Sequence, residues 1–364
     1  MSLPASPHVV VIGGGIVGSS IAWHLAKDAN VTIIAENIGG VATPNSFAWL
    51  NAAYNNPRFY YDFRRRSMQR WHEIGQELPE LPIHWGGSLN WDGSPEEMNE
   101  YLDNHASWGY DIVRVEHSDI TDMEPNLNDT EIPEWGLHVG EEGAMEAHIV
   151  AAQLIAEAEA LGATVLESSV TGFLKEGDLV RGVRTSNGEV LADHVVVAAG
   201  LGSVELLATE NIPLPVSGRE GMLINTKPIK ERLLGSLVNA VQLHFRQTAE
   251  GRIRSGSQFS GGNPGDDPEA TAQELFAKLQ SAFNGDEKLE YDYYTIGVRP
   301  DPEDGLPILG PTGVDGLSIA VMHSGVTNAA IVGDLLSKQI IRNITDPILS
   351  HFRLDRFSGS STTR

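Results

Sequence analysis

The 364-residue sequence contains no cysteine. That excludes disulfides, thiolate metal sites, cysteine nucleophiles and a cysteinyl link to any cofactor, although it fixes no compartment by itself. No apolar run is long enough to cross a bilayer. Positive charge is scarce: 25 lysines and arginines stand against 49 acidic residues, a formal charge of -24. Such a balance repels phosphate backbones and anionic lipid, so neither nucleic acid nor membrane insertion is expected. The charge reads most simply as solubility. No basic segment precedes the first apolar stretch in "MSLPASPHVVVIGGG", so that stretch reads as a strand rather than an export signal, and a cytoplasmic location is expected. The hydrophobic share of 41% is ordinary, and the length suits an α/β domain plus a second domain.

Glycine is placed rather than scattered. The segment "HVVVIGGGIVGSSIAWHLAKDANVTIIAEN" reads as a strand over Val9 to Ile12, a glycine turn, a helix through Lys27 and a second strand over Val31 to Ala35. Gly13, Gly15 and Gly18 form GxGxxG at the junction. The first permits the tight turn, the second lets backbone approach a pyrophosphate at the positive helix end, and the third lets helix and strand pack closely. Ile16 and Val17 lie in the same contact segment. Glu36 closes the second strand, where a carboxylate accepts hydrogen bonds from a ribose and repels a 2'-phosphate. NADP is disfavoured; NAD and FAD share the fingerprint.

Three further stretches bear on that choice. Residues 161–203 read as short strands with turn signals at "KEGD" and "SNGE", closed by "HVVVAAG". "GVRPDPEDGLPILGP" and "GLSIAVMHSGVTNAAIVGDLL" follow near the C-terminus. With the fingerprint, these segments resemble the D-amino-acid oxidase family of FAD-dependent oxidoreductases, the group holding glycine oxidase, sarcosine oxidase and D-amino-acid dehydrogenase. The resemblance spans nearly the whole chain. It implies an α/β fold, α+β overall, with a Rossmann-like FAD-binding domain interleaved with a mixed-sheet substrate domain. The FAD part is expected over residues 1–80, 140–218 and 295–350, and the substrate part over 81–139 and 219–294, with 351–364 a C-terminal extension ending in a disordered tail.

On the same resemblance, Asn37 follows Glu36 beside the ribose. Thr43, Ser46 and backbone near Phe47 face the flavin phosphates and ring. Val170 reads the adenine edge through backbone, and the small pair Ala199 and Gly200 makes room for the dinucleotide. His323, Gly325, Val326 and Thr327 mark a helix start aimed at the ring edge that gains negative charge on reduction. For His323, packing is the simpler reading than catalysis. Arg299 occupies the position that binds a substrate carboxylate through two parallel N–H···O bonds; the alternative is an ion pair with Asp301 or Asp304. His244 reads equally as a pocket residue, and candidate catalytic group, or as an exposed strand residue. Phe259 falls at an apolar pocket position. Arg254 is expected in solvent. Trp49, Trp85, Trp91 and Tyr293 are aromatic candidates for the cavity wall, with core packing their commoner role. Helix 148–161 is read as core.

The implied reaction removes hydride from the carbon bearing an amine to flavin N5, giving an imine that water hydrolyses. The expected substrate is a small carboxylate-bearing amine, with oxygen or another electron acceptor completing the cycle. Departures from the family pattern are visible. Asn37 stands where arginine is frequent, Asn51 where some members carry an attaching histidine, and Gly325 where glycine oxidase has a second arginine. Noncovalent FAD is therefore expected. A 2-hydroxy-acid dehydrogenase, with His244 or His323 as base, and a non-catalytic FAD-binding subunit are the alternatives.

Overall fold

The computed structural model describes residues 4, 6–52, 56–257, 264–285 and 289–358. Two sheets dominate. The first has six strands in the order Ile308–Pro311, Leu317–Val321, His194–Val197, His8–Ile12, Asn30–Ala35, Thr164–Glu167. All neighbours are parallel except the edge strand Ile308–Pro311. Its central strands are continuous valine and isoleucine runs because both faces are covered, one by long helices and the other mainly by a layer of antiparallel strands; Val9, Val10 and Val11 have no exposed surface. The anticipated strand, helix and strand fall at His8–Ile12, Ile16–Ala26 and Asn30–Ala35. Helix Ile16–Ala26 is apolar nearly all round because it lies between helices Ala147–Ala160 and Gly325–Arg342. The turn signals at "KEGD" and "SNGE" connect an antiparallel three-stranded layer, Val170–Glu176, Leu179–Thr185 and Gly188–Leu191.

The second sheet has eight strands in the order Tyr291–Pro302, Val216–Thr226, Ile253–Gly256, Leu243–Gln247, Leu237–Ala240, Ser88–Asn90, Trp135–Val139, Ile112–Glu116. It is mixed, because Leu237–Ala240 runs parallel to Ser88–Asn90 while the other pairs are antiparallel. Tyr291–Pro302 is an edge strand, which is why it tolerates Pro300 and Pro302. It pairs with Val216–Thr226 along almost its whole length, with Arg219 opposite Arg299. The sequence boundaries at 218 and 294 fall inside these two paired strands. Helix Arg58–Glu77 packs on Gly325–Arg342. Among the described residues no helix is long and apolar enough to cross a membrane. The tail beyond residue 358 lies outside the described residues.

Candidate active site

A cavity of about 560 Å³ lies at the C-terminal ends of the parallel strands, where Ile12, Ala35, Ala198 and Val321 end, and reaches the face of the eight-stranded sheet. Open α/β sheets place ligands at this end. Gly13, Gly15, Ile16, Val17, Glu36, Asn37, Thr43, Ser46, Phe47, Val170, Ala199 and Gly200 line one part. His323, Gly325, Val326 and Thr327 line another, and His244 and Arg299 enter from the second sheet. Gly18 sits behind the wall, where a Cβ would overlap the carbonyl oxygen of Gly13. Phe259 lies outside the described residues.

Backbone does most of the work in the strand-end part. Gly13 has φ +118°, and its N–H donates to the Ile34 carbonyl at 2.9 Å. A side chain there would be strained and would strike Ala198. A Cβ on Gly40 would come within 2.6 Å of Gly15 Cα, so the loop after the second strand closes over the fingerprint only as glycine. Helix Ile16–Ala26 starts at Gly15 with no side-chain cap. Its first N–H donates to Thr43 Oγ1 at 3.2 Å, which leaves the Thr43 O–H to donate outward. Ser46 Oγ likewise accepts from the Ala48 N–H at 3.0 Å. The Glu36 carboxylate accepts from the Ser169 hydroxyl. Helix Gly325–Arg342 also starts without a side-chain cap, from Ser324 in the left-handed region. These features fit FAD: a glycine cradle that a Cβ would fill, a carboxylate at the strand end, and two open helix starts.

The second-sheet part is made of side chains. Among the described residues, Arg299 Nε and Nη2 are buried and have no hydrogen-bond partner. Burial, then the neighbouring Arg219, lowers its pKa. The two carboxylates weighed as its ion-pair partners are engaged elsewhere: Asp301 with Arg219 at 2.9 Å and Asp304 with Arg356 at 2.8 Å. His244 is 4% exposed rather than solvated, and its ring meets Phe47 edge-on at 4.4 Å. Burial and then Arg299 lower its pKa to about 3. His323 holds Ser324 Oγ at 2.9 Å through Nδ1, and burial with Arg299 takes its pKa to about 4.

Arg254 corrects the expectation of a solvated strand residue. It is buried, donating to Asn225 Oδ1 at 2.9 Å and to the Ser46 carbonyl at 3.2 Å. Its neighbour Arg246 donates to the Phe47 carbonyl at 2.8 Å and pairs with buried Glu146 at 2.8 Å. The two arginines thus fix the carbonyls of Ser46 and Phe47, just before Ala48 at φ +60°. Of the four aromatics, only Trp49 lines the cavity. Trp85 stacks on His72 at 3.7 Å, and Tyr293 lies under Arg252 on the surface. Trp91 instead lines a second cavity, about 570 Å³, with Leu243 and Phe245. Strand alternation puts that space on the face opposite His244. Size does not separate the two cavities; the open helix starts and the orphaned guanidinium belong to the first. Sequence reading missed Asn45, Ser169 and Arg64 as lining residues. Arg64 was detectable by spacing, since Tyr60, Phe63, Arg64, Ser67 and Trp71 share the buried stripe of helix Arg58–Glu77.

A dinucleotide-type parallel sheet with a glycine cradle at its strand ends and a buried arginine facing the same cavity has the make-up of a nucleotide-dependent oxidoreductase. Residues 8–339 match the model of the FAD dependent oxidoreductase (DAO) family; the chain belongs to this family, whose cofactor is FAD. It is 28% identical over 98% of its length to the bifunctional protein ThiO/ThiG of Nostoc sp. and spans 56% of that relative. It is 25% identical to the glycine oxidase of Bacillus subtilis, over 95% of this chain and 96% of that one. Its fold is similar to that of the glycine oxidase from Geobacillus kaustophilus, with TM-score 0.85 and 22% identity, covering 96% and 99% of the two chains.

Proposed function

We propose that the chain oxidises the C–N bond of a small carboxylate-bearing amine, an amino acid or N-substituted amino acid, yielding an imine that water hydrolyses. The observation that carries this reading is the buried, unpartnered Nε and Nη2 of Arg299, in the same cavity as the glycine cradle. Two parallel N–H donors match a carboxylate, each charge-assisted bond contributing about 1.5–3 kcal/mol.

Residues 1–80, 140–218 and 295–350 are the segments assigned to the cofactor, with 81–139 and 219–294 assigned to the substrate and 351–364 an extension. FAD would be held noncovalently by Gly13 to Val17 at its phosphates, by Glu36 and Asn37 at the ribose and by Val170 backbone at the adenine, with Ala199 and Gly200 giving it room. Thr43, Ser46, Phe47 and the helix start from Gly325 to Thr327, with His323, would border its ring. When bound, FAD supplies the hydride acceptor. The chain's own contribution is orientation through Arg299, a wall of His244 and Phe47 that excludes water, and positive potential from the helix start.

Imidazoles lowered to about 3 and 4 are neutral and weakly basic at pH 7. Neither suits the removal of a hydroxyl proton, which favours an amine arriving neutral over a 2-hydroxy acid. The test is anaerobic mixing of the purified yellow protein with D-, L-, N-methyl and cyclic amino acids and with 2-hydroxy acids. Bleaching by one amine class is the expected result, and admitting air then separates oxygen from another acceptor. Bleaching by hydroxy acids alone, or by nothing, overturns the reading.

A further inference from the structure

A second guanidinium opens on the cavity. Arg64 is 5% exposed and lines the wall. Its Nε donates to the Asn51 backbone carbonyl at 3.0 Å, its Nη2 donates to the Asn51 side-chain oxygen, and its guanidinium carbon lies 5.5 Å from the centre of the Tyr60 ring. None of these partners carries charge. The adjacent Arg65 and Arg66 pair with Glu141 and Asp346; among the described residues Arg64 has no such ion pair. The buried acid that feels its field, Glu142, has a pKa raised to about 7, burial being the main cause. A buried cation with no carboxylate in ion-pair contact is costly, and an anion in the cavity would relieve that cost.

Arg64 is fastened to one end of the cavity. Asn51 N–H donates to Thr327 Oγ1 at 3.5 Å, and that hydroxyl donates to the Trp49 carbonyl at 3.0 Å. Ser67, one turn on from Arg64, donates to the Thr327 carbonyl at 2.6 Å and accepts from Ile331 N–H at 3.1 Å. Trp71 Nε1 donates to the Val326 carbonyl at 3.0 Å. Helix Arg58–Glu77 is therefore bolted to the first turn of Gly325–Arg342, and Arg64 adds its charge to the same pole as that uncapped helix start. Arg299 comes from the other sheet.

We infer that Arg64, held by Asn51, is a second cation of the site, facing the FAD ring and compensating the negative charge that the ring gains on reduction. A hydride brings two electrons and one proton to a neutral ring and leaves it with a net charge of minus one. In a dry cavity a fixed cation acts strongly on such a charge and needs no reorganisation. This inference rests on the FAD-dependent reading proposed above. The competing source of the anion is a carboxylate of the substrate.

The experiment uses the holoprotein and two probes. Sulfite adds to the oxidised flavin ring and leaves negative charge on it; acetate tests the carboxylate site. Arg64→Met with normal FAD content and circular dichroism should bind sulfite about tenfold more weakly or worse, equivalent to a two-electron potential lower by about 30 mV. Arg64→Lys should stay within about threefold of the parent, and acetate binding should be unchanged in both. Asn51→Asp gives Arg64 a counter-ion inside the protein and should weaken sulfite in the same direction, which keeps the test intact if Arg64→Met does not fold. Sulfite affinity and potential within about twofold of the parent would overturn the inference while leaving the FAD reading standing. So would a loss of acetate binding alone, which would assign Arg64 to the substrate. A parent chain that takes up no FAD sinks both.

Discussion

Arg246 and Arg299 stand on the same eight-stranded sheet, both largely out of water, and differ in one respect. Arg246 has Glu146 at 2.8 Å and two backbone carbonyls, whereas among the described residues Arg299 keeps two buried nitrogens without partners. A satisfied arginine belongs to the architecture, here holding Phe47 and Met145 in place. An unsatisfied one at a cavity has donors that the architecture does not use. Burial alone does not distinguish them; the inventory of acceptors does.

The comparison breaks most visibly in stability. Arg246→Met strands the Glu146 carboxylate and should lower unfolding free energy by about 3–5 kcal/mol, read from urea midpoints. Arg299→Met strands nothing and should leave those midpoints unchanged or raised. Equal losses in the two variants would end the distinction.

Titration of buried groups comes next in size. His24 and His194 have pKa values lowered to about 3 and about 4, burial being the first cause in each. Their stabilising share is complete above about pH 6.5 and is lost as pH falls, by about 3 kcal/mol for His24 near pH 4. Glu142, raised to about 7, has the opposite sign: its share is complete below about pH 4.5 and is lost, up to about 3 kcal/mol, as pH rises through 7. Glu142→Gln should flatten the urea-midpoint profile between pH 5 and 8 and leave the acid limb alone. An unchanged profile would show that Glu142 is ionised at no cost.

Function sharpens the same contrast. Arg299→Ala should raise the apparent constant for the substrate about 10- to 100-fold, from the loss of a charge-assisted pair, with FAD content intact by visible absorbance. Normal steady-state kinetics would remove Arg299 from the carboxylate. The smallest effect is expected at Arg219, whose ion pair with Asp301 is half exposed on the arginine side, at 54%. Arg219→Ala should cost below about 1 kcal/mol.

What sequence made legible follows the split between backbone and side-chain chemistry. Gly13, Gly15 and Gly18 announce themselves because only glycine fits those contacts, and the flanking strands repeat the message. Arg299 was legible by position, and its freedom from Asp301 only in the fold, because those carboxylates choose Arg219 and Arg356 across strands and loops. Arg254 was read as solvated because strand alternation tells opposite faces apart but not which face is covered. The Ser46 carbonyl that buries it is more than 200 positions away. Arg64 was hidden in a run of three arginines, two of which do face solvent-side acids.

The paired strands Val216–Thr226 and Tyr291–Pro302 carry one more consequence. They are joined rung by rung from Val216 opposite Pro302 to Asn225 opposite Tyr293, with a register shift before Thr226 meets Tyr291, so two passages of the chain form one stiff girder with Arg299 partway along it. A girder transmits displacement and resists bending. A displacement of one passage therefore carries the other, and Arg219 and Arg299, opposite each other on the ladder, move as a unit.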